Sequence, residues 1–213
     1  MGTASLELRP YNPEVEVQEE DGARADVYAL LAHLFYSPPS EAFLRQVAGA
    51  DAANGNASQS RLATAWHAFQ QAARDAAPAE IRQEYDDTFI SVGRPPVLLY
   101  GSFYGGGFLM DKHLVGLRDE FARLGLARKR ESGEPEDHIS ALCDVMRFLI
   151  VGDADTPPAG LEVQHDFFRR HIKPWYAQLC EAITKAEQPR FYKQVAMLAK
   201  EFFDLEAESF EIA

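Results

Sequence analysis

Residues 23–36 read ARADVYALLAHLFY, and the spacing of their apolar side chains decides the fold class. Val27, Leu30, Leu31, Leu34 and Phe35 fall at i, i+3, i+4, i+7 and i+8. That is the period of one face of an α-helix, whereas a half-buried strand alternates at every second residue. Pro38-Pro39 then stops the helix, because proline has no N–H to give the ladder.

The same period recurs through the rest of the chain. Ser40 is placed to cap a short helix carrying Phe43, Leu44 and Val47. Asn54-Gly55-Asn56 is turn chemistry inside a loop from Gly49 to Ser58, followed by a helix with Leu62, Trp66 and Phe69. Pro78 fits the first turn of the next helix, which runs through Ile81, Tyr85 and Phe89. Residues 93–107 are rich in Gly and Pro yet carry Leu98, Leu99, Tyr100, Phe103 and Tyr104. A loop that apolar should dock on something. Further helices carry Leu109, Leu114, Leu117, Phe121 and Leu124, then Ile139, Leu142, Cys143, Met146, Leu149 and Ile150. In the second of these, Glu134 is read as the N-cap with Pro135 in the first turn, and Glu136 and Asp137 suit the positive end of the helix dipole. Two more regions place Phe168, Ile172, Trp175, Leu179 and Ile183, then Phe191, Val195, Leu198, Phe202 and Leu205, on inner faces. Pro174 should kink or split the first of them. No segment alternates over strand length, so the expected fold is all-α, a single-domain bundle of about eight to ten helices over residues 23–206. Residues 1–22, with six acids and two prolines, read as a flexible acidic tail, and 207–213 as a C-terminal tail. Thr156-Pro157-Pro158 reads as a linker and a possible hinge near 154–160.

Composition narrows the function classes. Against 21 Lys and Arg stand 33 Asp and Glu, a formal net charge of −12. Such a surface repels phosphate backbones, so nucleic acid is not an expected partner, and a basic peptide is attracted instead. The charge equally serves solubility. Cys143 and Cys180 each sit in a helical apolar pattern without a C-x-x-C neighbour, which reads as buried reduced thiols. No secretory signal and no run long enough to span a membrane is present. These features fit a reducing cytoplasm.

Candidate catalytic features are weak. Asp137 and His138 are adjacent, and neighbouring helical residues point about 100° apart, so they do not face each other as a dyad. Capping by Asp137 with a surface His138 is the plainer reading, although both could grip a ligand where free backbone N–H groups gather. Gly105-Gly106-Gly107 lacks the G-K-[ST] ending of a phosphate loop. The six histidines form no i, i+4 pair, so no metal site is expected, and no cofactor. Tyr85, Phe89, Tyr100, Phe103 and Tyr104 admit two readings, a plain core or a groove for an apolar peptide segment.

Three segments, taken in order, carry a resemblance. Glu84-Tyr85-Asp86-Asp87-Thr88-Phe89 is similar to an E-Y-x-x-L-F helix, followed by Leu99-Tyr100-Gly101-Ser102-Phe103-Tyr104. Glu134-Pro135-Glu136-Asp137-His138-Ile139 matches E-P-x-D-H-[IL]. Phe168, His171, Ile172, Pro174 and Trp175 fit F-x-x-H-[IL]-x-P-W. Together they resemble the TorD/DmsD/NarJ family of redox-enzyme maturation chaperones, over about residues 24 to 206. Thr88 departs from the family's Leu, and Leu142 stands where an acid is common.

The resemblance implies a cytoplasmic chaperone without catalytic turnover. Its expected partners are the twin-arginine signal peptide and the apoprotein of a molybdenum-containing oxidoreductase of the dimethyl sulfoxide reductase type. Carried over by position, the peptide site comprises Tyr85, Phe89, Tyr100, Ser102, Tyr104, Pro135, Asp137 and His138. The resemblance also implies a NarJ-like assembly factor with a non-exported client as the alternative, guanine-nucleotide binding or hydrolysis as a lesser one, and a monomer or helix-exchanged dimer. A purely structural helical adaptor is the remaining alternative.

Overall fold

The computed structural model describes residues 19–50, 60–91, 93–104, 110–126, 135–187 and 189–212, with backbone alone at 110–113. Among these residues the chain forms ten α-helices, and the only extended pairing is an isolated antiparallel bridge between Tyr100 and His138. The all-α expectation holds. The contacts of the chain group into two compact units, and the single bundle expected over 23–206 is drawn from both. The first unit takes the chain up to Tyr36 together with Leu99–Trp175, and the second takes Ser37–Leu98 with Tyr176–Ala213. The chain passes from one to the other next to prolines at two of the three crossings, after Tyr36 and after Trp175. Proline breaks the helical ladder there.

In the first unit α1 (Glu19–Tyr36) packs along α7 (Ile139–Val151), and α8 (Leu161–His171) also lies against α7. The short α5 (Gly101–Tyr104) abuts α6 (Met110–Arg123). α1 starts at Glu19, four residues ahead of the expected boundary, with Glu19, Glu20 and Asp21 in its first turn. Acidic groups are favourable there because they face the unsatisfied N–H groups. The buried side of α1 is Ala25, Tyr28, Leu31, Ala32, Leu34 and Phe35, and Val27 and Leu30 from the expected face are only half-buried. α7 is buried nearly all round, from Ile139 through Leu142, Met146 and Leu149 to Val151. Each such side chain removed from water contributes about 1.5–3 kcal/mol, which makes α7 the central element of this unit.

The second unit holds α2 (Glu41–Gly49), α3 (Arg61–Asp75), α4 (Pro78–Tyr85), α9 (Tyr176–Lys185) and α10 (Phe191–Ile212). α10 packs on α3, α4 and α9, and α2 packs on α3. Ser40 caps α2 as expected, its Oγ accepting from the Phe43 N–H at 3.2 Å, and Ser60 does the same for α3. Gln70 ties the end of α2 down by donating to the carbonyls of Val47 and Ala50 at 3.0 and 2.7 Å. α4 runs on into a π-helical turn, Asp86–Ile90.

Two features of α10 also differ from the sequence reading. Residues 207–212, expected as tail, continue α10, because Glu206 and Phe210 extend its buried side past Phe202 and Phe203. Leu205, expected on the inner face, is 46% exposed, and Phe203 takes the inner position. The segment read as a hinge lies within the first unit and closes on itself, with the Asp153 N–H donating to the Thr156 carbonyl at 2.8 Å and the Ala159 N–H to Leu149 at 2.8 Å. Pro174 separates α8 from α9, as expected. Leu109, the glycine loop 105–107, the loop 51–58, residues 1–18 and Glu134 lie outside the described residues.

Candidate functional site: a buried carboxylate behind an aromatic turn

The structure moves the start of α7. Its first residue is Ile139 and its N-cap is His138, whose Nδ1 accepts from the Ser140 N–H at 3.1 Å. The expected start at Pro135 fails because the backbone of 137–139 is already taken. The Gly101 N–H donates to the Asp137 carbonyl at 3.1 Å, and the Ile139 N–H donates to the Leu99 carbonyl at 2.9 Å. That pairing demands extended backbone, so the helix waits until Ile139. Because Nδ1 accepts, the imidazole carries its proton on Nε2. The Tyr100 ring meets His138 edge-on at 5.1 Å.

Asp137 is 0% exposed. Its Oδ2 accepts the Ser102 N–H at 2.6 Å, so Ser102 enters the site through its backbone. Its Oδ1 is buried with no hydrogen-bond partner among the described residues. A buried carboxylate oxygen left unpaired costs on the order of 1–3 kcal/mol, and a donor arriving from outside would recover it. The expected role of Asp137 as a helix-dipole residue therefore gives way to one that faces α5.

The aromatic set divides. In the first unit Tyr100 and Tyr104 are half-buried and Phe103 is 42% exposed, packed edge-on against Tyr104 at 5.0 Å. Tyr104 stacks on Trp175 at 5.5 Å and 15°. In the second unit Tyr85 and Phe89 are buried and each packs against Tyr192, at 5.6 and 5.1 Å. The structure thus gathers Tyr100, Ser102, Tyr104, Asp137 and His138 in one unit, with Pro135 exposed at the start of the turn, and places Tyr85 and Phe89 in the other. Thr88, where the family has Leu, is buried, and its hydroxyl has no partner among the described residues.

The third motif buttresses α5. The Trp175 Nε1–H donates to the His171 carbonyl at 2.6 Å, and a side chain on Gly101 would meet the Trp175 indole at 2.9 Å. His171 Nε2 lies 2.8 Å from the Glu120 carboxylate, both groups buried, and Arg123 and Arg170 add ion pairs to the same acid at 3.4 and 3.5 Å. None of this support was legible from spacing, because the partners lie on separate elements. Sequence reasoning also missed Arg118, whose guanidinium clasps Glu136 through Nε and Nη2, each at 3.0 Å.

Further along α7, burial pushes the Asp144 carboxyl up to about 6, with the Arg147 charge opposing it only in part. The folded state therefore binds a proton that the unfolded chain releases near pH 4. Stability from this group is full below about pH 4 and is lost as pH rises through about 6. Asp144→Asn is expected to stabilise the protein by about 1–2 kcal/mol at pH 7.5 and by little at pH 4, read from urea unfolding at the two pH values. A gain equal at both would assign the effect to packing. The thiol of Cys180 is also raised, to about 12, by burial, and both cysteines are buried and outside any disulfide.

Among the described residues no helix is long and apolar enough to cross a membrane, and no group of acids, histidines and cysteines is placed to hold a metal ion. A family model described as nitrate reductase delta subunit matches residues 56–181, more than half of the 213-residue chain. This chain belongs to that family, the TorD/NarJ group of redox-enzyme maturation proteins. Chaperone protein TorD of Vibrio cholerae serotype O1 (strain M66-2) is 25% identical over 195 residues, covering 84% of this chain and 88% of that protein. A Haemophilus influenzae protein named Probable Tat proofreading chaperone DmsD is 28% identical over 120 residues, 55% of this chain and 56% of that one. The fold resembles a solved structure described as a redox enzyme maturation protein from Archaeoglobus fulgidus. The TM-score is 0.53 at 18% identity, covering 92% of this chain and 98% of that one. As a TorD/DmsD-like protein the chain is a chaperone of redox-enzyme maturation rather than a catalyst.

Proposed function

We propose that this chaperone works in the cytoplasm, binding the twin-arginine signal peptide and the apoprotein of a molybdenum-containing oxidoreductase and holding them until the cofactor is inserted. The observation that carries the reading is Asp137, buried with Oδ2 on the Ser102 N–H and Oδ1 without a donor among the described residues, next to the aromatic turn Tyr100–Tyr104. A guanidinium supplies N–H donors in a fixed fork, and a charge-assisted bond to a desolvated carboxylate is stronger than a neutral one. The exposed ring of Phe103 offers apolar surface to the stretch that follows the arginines in such signals. The net charge of −12 speeds encounter with a basic peptide. Relatives named TorD and Tat proofreading chaperone DmsD point the same way.

The test is calorimetric titration of a signal peptide encoded beside this gene into the wild type and into Asp137→Asn, which keeps size and one acceptor but removes the charge. Saturable binding that falls about tenfold or more in the variant is expected, since a desolvated charge pair is at stake. Equal affinity in both proteins would remove Asp137 from the site. The match to the nitrate reductase delta subunit model favours a second reading, an assembly factor for a client that is not exported. Retention of the apo-client by a folded protein that binds no signal peptide would select it.

A further inference from the structure

The acid beside Asp137 is already engaged by a residue of the chain itself. Glu136 has a side chain only 8% exposed, and its two oxygens accept from Nε and Nη2 of Arg118, 3.0 Å each, in a bidentate clasp. Arg118 is 54% exposed, so its guanidinium lies over the acid from the solvent side. The negative charge of Asp137 reaches the same guanidinium. The neighbouring Oδ1, meanwhile, has no donor among the described residues. Arg118 thus satisfies Glu136, while the carboxylate of the next residue keeps one oxygen without a donor among the described residues.

We propose that Arg118 is an internal competitor for this acidic pair, occupying Glu136 in the free chaperone and yielding it when an arginine of the client peptide arrives. The inference rests on the peptide-binding reading above and adds to it a reason for selectivity. An exposed arginine is held weakly, because its ion pair is screened and the long side chain loses entropy when fixed. Asp137 is itself fully buried, so an incoming guanidinium meets Glu136 first, displaces Arg118 from it, and from there reaches Asp137 Oδ1. A lysine-bearing or neutral peptide lacks the planar fork that replaces a bidentate clasp, so it leaves Arg118 in place. The internal contact thereby raises the threshold for peptides without arginine.

The experiment compares wild type, Arg118→Ala and Glu136→Gln as full chains, titrated calorimetrically with a synthetic peptide carrying paired arginines ahead of a leucine-rich stretch, and with its paired-lysine counterpart. Arg118→Ala should bind the arginine peptide about three- to tenfold more tightly, since a modest surface pair no longer competes. It should also gain more for the lysine peptide than for the arginine peptide, narrowing the discrimination between them. Glu136→Gln should weaken the arginine peptide. An affinity unchanged within twofold, or lowered, in a folded Arg118→Ala protein overturns the inference and leaves Arg118 as a structural clasp.

A parallel titration with N-acetyl-arginine amide, followed by NMR at the Arg118 Nε–H and the Ser102 N–H, keeps the two ideas separate. If neither peptide binds any of the proteins, the peptide-binding reading fails. The competitor is then judged on this arm alone, where the Arg118 Nε–H resonance must shift in the wild type and the Ser102 amide must respond at lower concentration in Arg118→Ala. An Arg118 resonance that does not move at saturating probe overturns it.

Discussion

Replacing Gly152 by alanine is expected to cost about 3–5 kcal/mol of unfolding free energy, a large share of the stability of a domain. Gly152 ends α7 at φ +66° and ψ −161°, a backbone region that only glycine visits readily. Its N–H donates to the Phe148 carbonyl at 2.7 Å, so the position cannot simply swing away. A Cβ there would run into the Thr156 carbonyl oxygen, and would come within 2.8 Å of the Pro157 carbonyl carbon and 2.9 Å of the Pro158 nitrogen. These are backbone atoms, and their loop is closed by Asp153, whose Oδ1 accepts the N–H groups of Asp155 and Thr156 at 2.9 and 2.8 Å. No flexible side chain is available to move aside. Urea unfolding followed by far-ultraviolet circular dichroism should show a lower midpoint in Gly152→Ala, and a loss below about 1 kcal/mol would mean that the 153–158 loop relaxes to admit the methyl.

Glu84→Ala is the second large effect, expected at about 2–4 kcal/mol. The Glu84 carboxylate reaches the start of α10, where Oε2 accepts the N–H groups of Arg190 and Phe191 at 2.8 and 3.2 Å and Oε1 accepts that of Tyr192 at 2.6 Å. These are donors that the helix leaves without internal partners, at the positive end of its dipole. One side chain of α4 thus caps another helix more than a hundred residues away in sequence. Glu84→Gln should lose about half as much, because the amide keeps one acceptor but turns two N–H donors toward other donors. Thermal unfolding gives the magnitude. Hydrogen exchange at Tyr192 distinguishes the cap from general packing, since its amide should lose protection in both variants before the middle of α10 does. Unaltered exchange there, together with a loss below about 0.5 kcal/mol, would show that water replaces the carboxylate at little cost.

The Glu84 case shows why parts of the family pattern could be recognised but not explained from sequence. Its spacing to Tyr85 and Phe89 marks the motif, yet the partner is the backbone of Arg190–Tyr192, and backbone N–H groups carry no sequence signature. Trp175 and His171 belong to the same class. Their service to α5 runs through a carbonyl oxygen and the flat face of Tyr104. The start of α7 departs from local preference for a related reason. Pro135, Glu136 and Asp137 are good first-turn residues, and local preference was overridden by two hydrogen bonds to Leu99 and Gly101, each worth about 1 kcal/mol and both long-range. Arg118 and Glu136 lie 18 residues apart on different elements, so nothing in either local stretch announces their clasp.

What the sequence by itself determined is what periodicity and local chemistry can encode. The all-helical class follows from apolar residues recurring every three or four positions, the stops from Pro38-Pro39 and Pro174, the cap from Ser40 and the first turn of α4 from Pro78. The family was legible from three motifs in order, because each is a short run of residue types. Only the tertiary structure decided that α10 continues to Ile212, since the burial of Phe210 depends on the elements packed around that helix. Only it left Asp137 with one oxygen bonded and one without a donor among the described residues, since that state follows from the Ser102 N–H arriving from α5. Burial and hydrogen-bond satisfaction are properties of what the fold brings near, and a residue's own neighbours in sequence do not set them.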